Sequence, residues 1–121
     1  MKTHKDLNAW KESMNLAREA YRITKAFPNS EMYGLTSQIR RAAVSIPSNI
    51  SEGAARNQKR DFIRFIQFSL GSLAELETQL ILASDFGYLD SGNLSQFINK
   101  SNLIRAQLTG LIKALKKSLN N

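Results

Sequence analysis

The chain has 121 residues, 42% of them hydrophobic, which suits one compact domain with a real core and is too short for two ordinary ones. It holds no cysteine and a single histidine, His4, so disulfides and thiolate metal sites are excluded. Seventeen lysines and arginines against ten acidic residues leave a net charge of +7, a balance that speaks to partners and points to phosphate-rich polymers, with a merely solubilising basic surface as the alternative.

No apolar run precedes a small-residue cleavage site, and no stretch approaches the roughly 18 apolar residues of a membrane span. The expectation is a soluble cytoplasmic protein without a signal peptide. Two prolines and six glycines occur, β-branched alternation is absent, and helical spacing appears four times.

In the first helix, Leu7, Trp10, Met14, Ala17, Tyr21 and Thr24 step by three and four, with Asp6 placed as an N-cap. Leu16, Ala20, Ile23 and Phe27 widen its buried face, and Pro28 and Asn29 end it, giving a span of about 6–27.

The second pattern, Leu35, Ile39, Ala42 or Ala43, Ile46, Ile50 and Gly53, keeps its phase on both sides of Pro47. A mid-helix proline costs about 3 kcal/mol. A loop would avoid that cost but would have no reason to preserve phase. Ser45, Ser48 and Asn49 are short polar residues able to bond carbonyls freed at a kink. The spacing therefore predicts one helix over about 30–54, kinked at Pro47 and closed by Gly53.

The third helix is predicted over about 58–86, roughly 40 Å long at the α-helical rise. Phe62, Phe65, Ile66, Ser69, Leu70, Leu73, Leu76, Leu80 and Ala83 form its stripe, while Ile63, Phe68, Ile81 and Leu82 fall on other faces. That surplus, with the small residues Gly71, Ser72 and Ala74, favours burial against a second subunit modestly.

Gly87 stops this helix and Ser91 caps the fourth, over about 91–118. Leu94, Phe97, Ser101, Ile104, Leu108, Leu111 and Leu115 follow a heptad, flanked by Ile98 and Ile112. Four helices with short turns predict an all-α, up-down-up-down four-helix bundle, one domain spanning 1–121.

A search for chemistry yields little. A di-iron bundle needs Glu-x-x-His pairs, and the one histidine lies outside the helices. No base is available for a serine nucleophile, and neither a Gly-rich phosphate loop nor an HExxH motif is present. Glu75 and Glu77, spaced by two, point to different sides of a helix and read as ion-pair partners or solvated side chains. The expectation is a protein that is not an enzyme, with no catalytic residue, metal or cofactor.

The cations are more informative. Lys113, Lys116 and Lys117 sit in the last turns of the fourth helix, where they complement its dipole. Arg56, Lys59, Arg60 and Arg64 cluster at the start of the third, where each is disfavoured by about 0.3–1 kcal/mol with Asp61 alone as relief. A phosphate there would gain the helix terminus and the arginine forks, so these four are the leading candidates for nucleic-acid binding. Arg40 and Arg41 are further candidates. Arg41 shares a line with Gln38, Ser45, Ser48 and Glu52, and that line reads equally as a solvated face, an inter-helix ladder or an oligomer contact. Glu52 and Arg56 form an ordinary pair spaced by four. The aromatics fall mainly on core stripes, unlike the aromatic–basic pattern of a single-strand-binding sheet.

The segment "YGLTSQIRRAAVSIPSNISEGAARNQKRDFIRFIQFSLGSLAELETQL", with "FPNSEMYGL" at its start and "FGYLD" after it, closely resembles the four-helix-bundle proteins encoded within 23S rRNA intervening sequences. The likeness covers nearly the whole chain. It implies a bacterial four-helix subunit that assembles as a ring, a homopentamer, with no established enzymatic activity. Pro47 inside the second helix belongs to the family pattern. A related branch, the accessory variability determinants of diversity-generating retroelements, is similar in bundle fold, pentameric ring and basic surface, and works with a reverse transcriptase and its RNA. The resulting expectation is a non-enzymatic, basic, oligomeric protein that binds nucleic acid, RNA ahead of DNA, through backbone phosphates. The alternative is a ring-shaped protein-interaction scaffold, for example an accessory subunit of a reverse transcriptase.

Overall fold

Apolar residues recurring at helical spacing, interrupted only by short polar or glycine-containing turns, leave the chain one economical arrangement. In the computed structural model, which describes residues 3–120, four helices form: α1 (Asn8–Thr24), α2 (Leu35–Ala55), α3 (Lys59–Asp85) and α4 (Ser91–Leu119). Single 3₁₀ turns at His4–Asp6 and Asn29–Glu31 precede α1 and α2. Each helix packs on its chain neighbours and α1 closes against α4, with α2 and α3 making the most extensive seam. The result is an up-down-up-down bundle, without strands among the described residues. No described helix is long and apolar enough to cross a membrane.

The core runs the length of the bundle through Leu16, Ala20 and Ile23 of α1, Ile39, Ile46 and Ile50 of α2, Ile66, Leu73, Leu76 and Leu80 of α3, and Phe97, Ile104 and Leu108 of α4. In α1 the buried line is therefore the one expected only to widen the face. The stripe of Trp10, Met14, Ala17 and Tyr21 instead borders an open groove against Val44, Pro47 and Ser48 of α2, about 660 Å³ in volume. Both stripes have helical period; which one is buried depends on where α3 and α4 sit.

Pro47 is buried inside α2, and the hydroxyls and amide around it do bond backbone carbonyls. Asn49 Nδ2 donates to the Ser45 carbonyl at 2.9 Å, and Ser51 Oγ donates to that of Pro47 at 3.0 Å. Ser69, reaching from α3, donates to the Ile46 carbonyl at 2.8 Å. Ser45 and Ser72 share a further bond of 2.8 Å across the same seam. Ser48, expected to take part, faces solvent.

Several termini differ from expectation. Asp6 is not the cap of α1. It closes a capping box with Thr3 around the first 3₁₀ turn, and Leu7 occupies the N-cap. Residue 30 lies in the 3₁₀ turn Asn29–Glu31, and α2 starts only at Leu35, after Gly34. Gly53 does not close α2 but lies within it, two residues before its end. A Cβ there would stand 2.6 Å from Phe65 Cβ and 3.1 Å from Phe62 Cδ1, so the glycine permits close approach of α3. The turn is made instead by Asn57, with φ of 57°, a left-handed conformation that asparagine tolerates. Asp90, rather than Ser91, caps α4: its Oδ1 accepts from the Asn93 amide at 2.7 Å. At the end of α3, Gly87 with φ of 82° accompanies bonds from its own N–H to Ser84 and from Tyr88 N–H to Ala83, the Schellman pattern.

Candidate functional site

The antiparallel topology gathers four termini at one end of the bundle: the starts of α1 and α3 and the ends of α2 and α4. Trp10 Nε1 donates to Ser51 Oγ at 3.0 Å, joining the start of α1 to the end of α2. Lys59 Nζ donates to Ser118 Oγ, joining the start of α3 to the end of α4. When each helix is divided at its midpoint, this half carries Lys5, Lys11, Arg56, Lys59, Arg60, Arg64, Lys113, Lys116 and Lys117 against Asp6, Glu12, Glu52 and Asp61. That is nine cations against four carboxylates, an excess of five. The other half, with Arg105 at the midpoint of α4 counted in it, sets Arg18, Arg22, Lys25, Arg40, Arg41, Lys100 and Arg105 against Glu19, Glu31, Glu75, Glu77, Asp85 and Asp90. There the excess is one. The charge of this chain is thus strongly polarised along the bundle axis.

Arg56, Lys59, Arg60 and Arg64 all lie at the basic end and are exposed. Arg56 approaches Glu52 at 3.4 Å and Arg64 approaches Asp61 at 3.6 Å, both pairs largely in solvent. Such pairs contribute about 0–1 kcal/mol and leave the guanidinium groups available to a stronger anion. Arg60 makes no ion pair among the described residues. The Arg56 and Arg64 guanidiniums also lie over the Phe65 ring, at 4.9 and 5.3 Å from its centroid. Phe65 is 7% exposed, so its ring serves as a buried plate that orients two charged forks without neutralising them.

Arg40 and Arg41 stand apart from this cluster. Fifteen residues separate Arg41 from Arg56, which caps the end of α2, about 22 Å along the helix axis. Arg40 Nε donates to Thr24 Oγ1 at 2.9 Å and its guanidinium lies 4.7 Å from the centre of the Tyr21 ring, which fixes α1 to α2. Arg41 borders a polar groove of about 510 Å³ with Gln38, Glu75, Thr78, Gln79 and Leu82. The polar line through Gln38 and Arg41 becomes an inter-helix ladder only at Ser45, through its bond to Ser72. Glu77 accepts from Ser101 Oγ and pairs with Arg105, binding α3 to α4. Among the described residues no group of carboxylates and histidine is arranged to hold a metal ion.

Two contributors escaped the pattern of the sequence. The lysines at the end of α4 complement a dipole and also stand beside the arginine cluster, as an antiparallel topology requires. Phe68, which helical spacing already places off the core stripe, was not named as a site residue: it is 49% exposed, and its ring meets that of Phe65 at 5.4 Å, edge to face.

Bundle, polarised charge and oriented arginines together define a small all-α basic protein of the four-helix type. More specifically, the chain belongs to the 23S rRNA-intervening sequence protein family, whose pattern matches residues 5–110. Among solved structures it is similar to the crystal structure, at 1.70 Å resolution, of a protein of unknown function from the S23 ribosomal protein family of Bacteroides thetaiotaomicron. The two share 25% sequence identity with a TM-score of 0.80, over 87% of this chain and 95% of that one. No curated protein matches.

Proposed function

We propose that this protein is a non-enzymatic, cytoplasmic, homo-oligomeric nucleic-acid-binding protein that grips backbone phosphates, those of RNA ahead of DNA, with its basic end. The carrying observation is the excess of five positive charges at that end, headed by Arg56, Lys59, Arg60 and Arg64. Phosphate binding of this kind needs positive potential and donor forks, and little base readout. Membership of a family named for 23S rRNA intervening sequences supports RNA as the partner. The half-exposed stripe of Trp10, Met14, Ala17 and Tyr21 supports self-association, a homopentamer by family resemblance, because it offers apolar surface a second copy would cover.

The test is RNA binding by fluorescence anisotropy across a salt series. If about 6–10 phosphates are engaged, affinity falls about 10³–10⁵-fold between roughly 50 and 200 mM salt. Replacing Arg56, Lys59, Arg60 and Arg64 together by alanine is expected to abolish most binding with the circular dichroism unchanged. Unaltered affinity in that variant overturns the reading. A scaffold that recruits a protein, such as a reverse transcriptase, is the second reading, favoured by the same apolar groove; it requires a partner retained at high salt. Solution mass by light scattering decides the oligomer.

A further inference from the structure

We infer that the outer line of α3 formed by Arg60, Arg64 and Phe68 binds an unpaired RNA strand, with one base stacked on Phe68 and the adjoining phosphates held by the arginines. This rests on the nucleic-acid reading above and names its substrate class. The three residues step by four along α3, each about 6 Å further along the axis, so they share one face. Phe68 is 49% exposed, whereas Phe62 and Phe65 of the same helix are 8% and 7% exposed. Its edge-to-face contact is with the ring that also carries the Arg56 and Arg64 guanidiniums. Cation and aromatic surface are thus fixed to a common support.

The next position on that side is Gly71, in the interior of α3, where a Cβ would meet no atom within 4 Å. Unlike Gly53, it has no packing partner within the chain. The position therefore adds no side chain to the exposed face one turn beyond Phe68. Among occupants for this face, charge complementarity favours a polyanion. Arg60 has no carboxylate partner among the described residues, and the Asp61 contact to Arg64 is long and exposed. A duplex keeps its base faces stacked inside, whereas an unpaired strand presents a face to an aromatic ring and phosphates to cations together.

The experiment compares the intact protein with Phe68→Ala, Phe68→Trp and Gly71→Leu. The probes are a labelled oligouridine of about 12 nucleotides and a labelled RNA hairpin stem. Phe68→Ala is expected to weaken oligouridine binding about 5–150-fold, the loss of one stacked base, without changing the stem affinity or the salt slope. Phe68→Trp restores binding, Gly71→Leu mimics the loss, and the solution mass stays constant. The inference is overturned if Phe68→Ala weakens both probes alike or neither, or if tryptophan does not restore binding. It is equally overturned if the mass falls, since Phe68 would then belong to a subunit interface. If the fourfold alanine variant loses binding while Phe68→Ala does not, this inference alone fails. If neither variant loses it, the nucleic-acid reading fails as well.

Discussion

Gly53 offers a test of what holds α2 against α3. Alanine at this helical position gains about 1 kcal/mol of intrinsic propensity. Its Cβ, however, would lie 2.6 Å from Phe65 Cβ and 3.4 Å from Phe62 Cα, atoms that no side-chain rotation can move aside. Relief requires the two helices to part along their most extensive seam, and overpacking of this kind costs about 1–3 kcal/mol. The contact is short enough to place the penalty in the upper part of that range, so Gly53→Ala is expected to lose about 1–2 kcal/mol net. With a urea m-value of about 1.5–2 kcal/mol/M, the midpoint falls by roughly 0.5–1 M. Gly71→Ala is the internal control. It makes the same change of propensity in open space, so it is expected to raise the midpoint. Urea titrations of both variants, followed by circular dichroism at fixed protein concentration, read the comparison. If Gly53→Ala is as stable as wild type, or moves in the same direction as Gly71→Ala, the close-approach argument is wrong.

Two further outcomes follow from the turns. Asn57→Ala forces a β-carbon bearing no polar group into the left-handed region and is expected to destabilise by about 1 kcal/mol, while Asn57→Gly is neutral or stabilising, both read from thermal midpoints. The Asp90 carboxyl is held below its ordinary value by the backbone N–H of Asn93 and then by that residue's side-chain amide. Its contribution is present above the unfolded value of 3.8 and is lost as pH falls through the lower folded value. Asp90→Asn retains the cap without the titration. The stability advantage of wild type over this variant is therefore expected to shrink on acidification below about pH 4. A gap independent of pH would show that the cap works without its charge.

Architecture was legible because long helical periods leave few alternatives: the heptad of α4 and the phase carried through Pro47 both appear as helix in the structure. Termini were less so, because Asp90 and Ser91 are comparably good capping residues and only backbone geometry separates them. In α1, the stripe expected only to widen the face became the core line, because both stripes share the helical period and packing against the other helices chose between them. The same difficulty affected the candidate site. The cations of the α2–α3 turn stand out as residues placed against a dipole, and helical spacing does put Phe65 on the core stripe and Phe68 off it, as the structure has them. What spacing could not show is that the Arg56 and Arg64 guanidiniums lie over the Phe65 ring, a tertiary fact set by where α2 ends.

The half-buried indole in the α1–α2 groove has a practical use. Trp10 is the chain's one tryptophan, tied to Ser51 and edge-on to the His4 ring at 5.3 Å. Its emission is a built-in optical gauge of that cleft, free of competing indoles. A blue shift on dilution-reversible self-association would report coverage of this face directly.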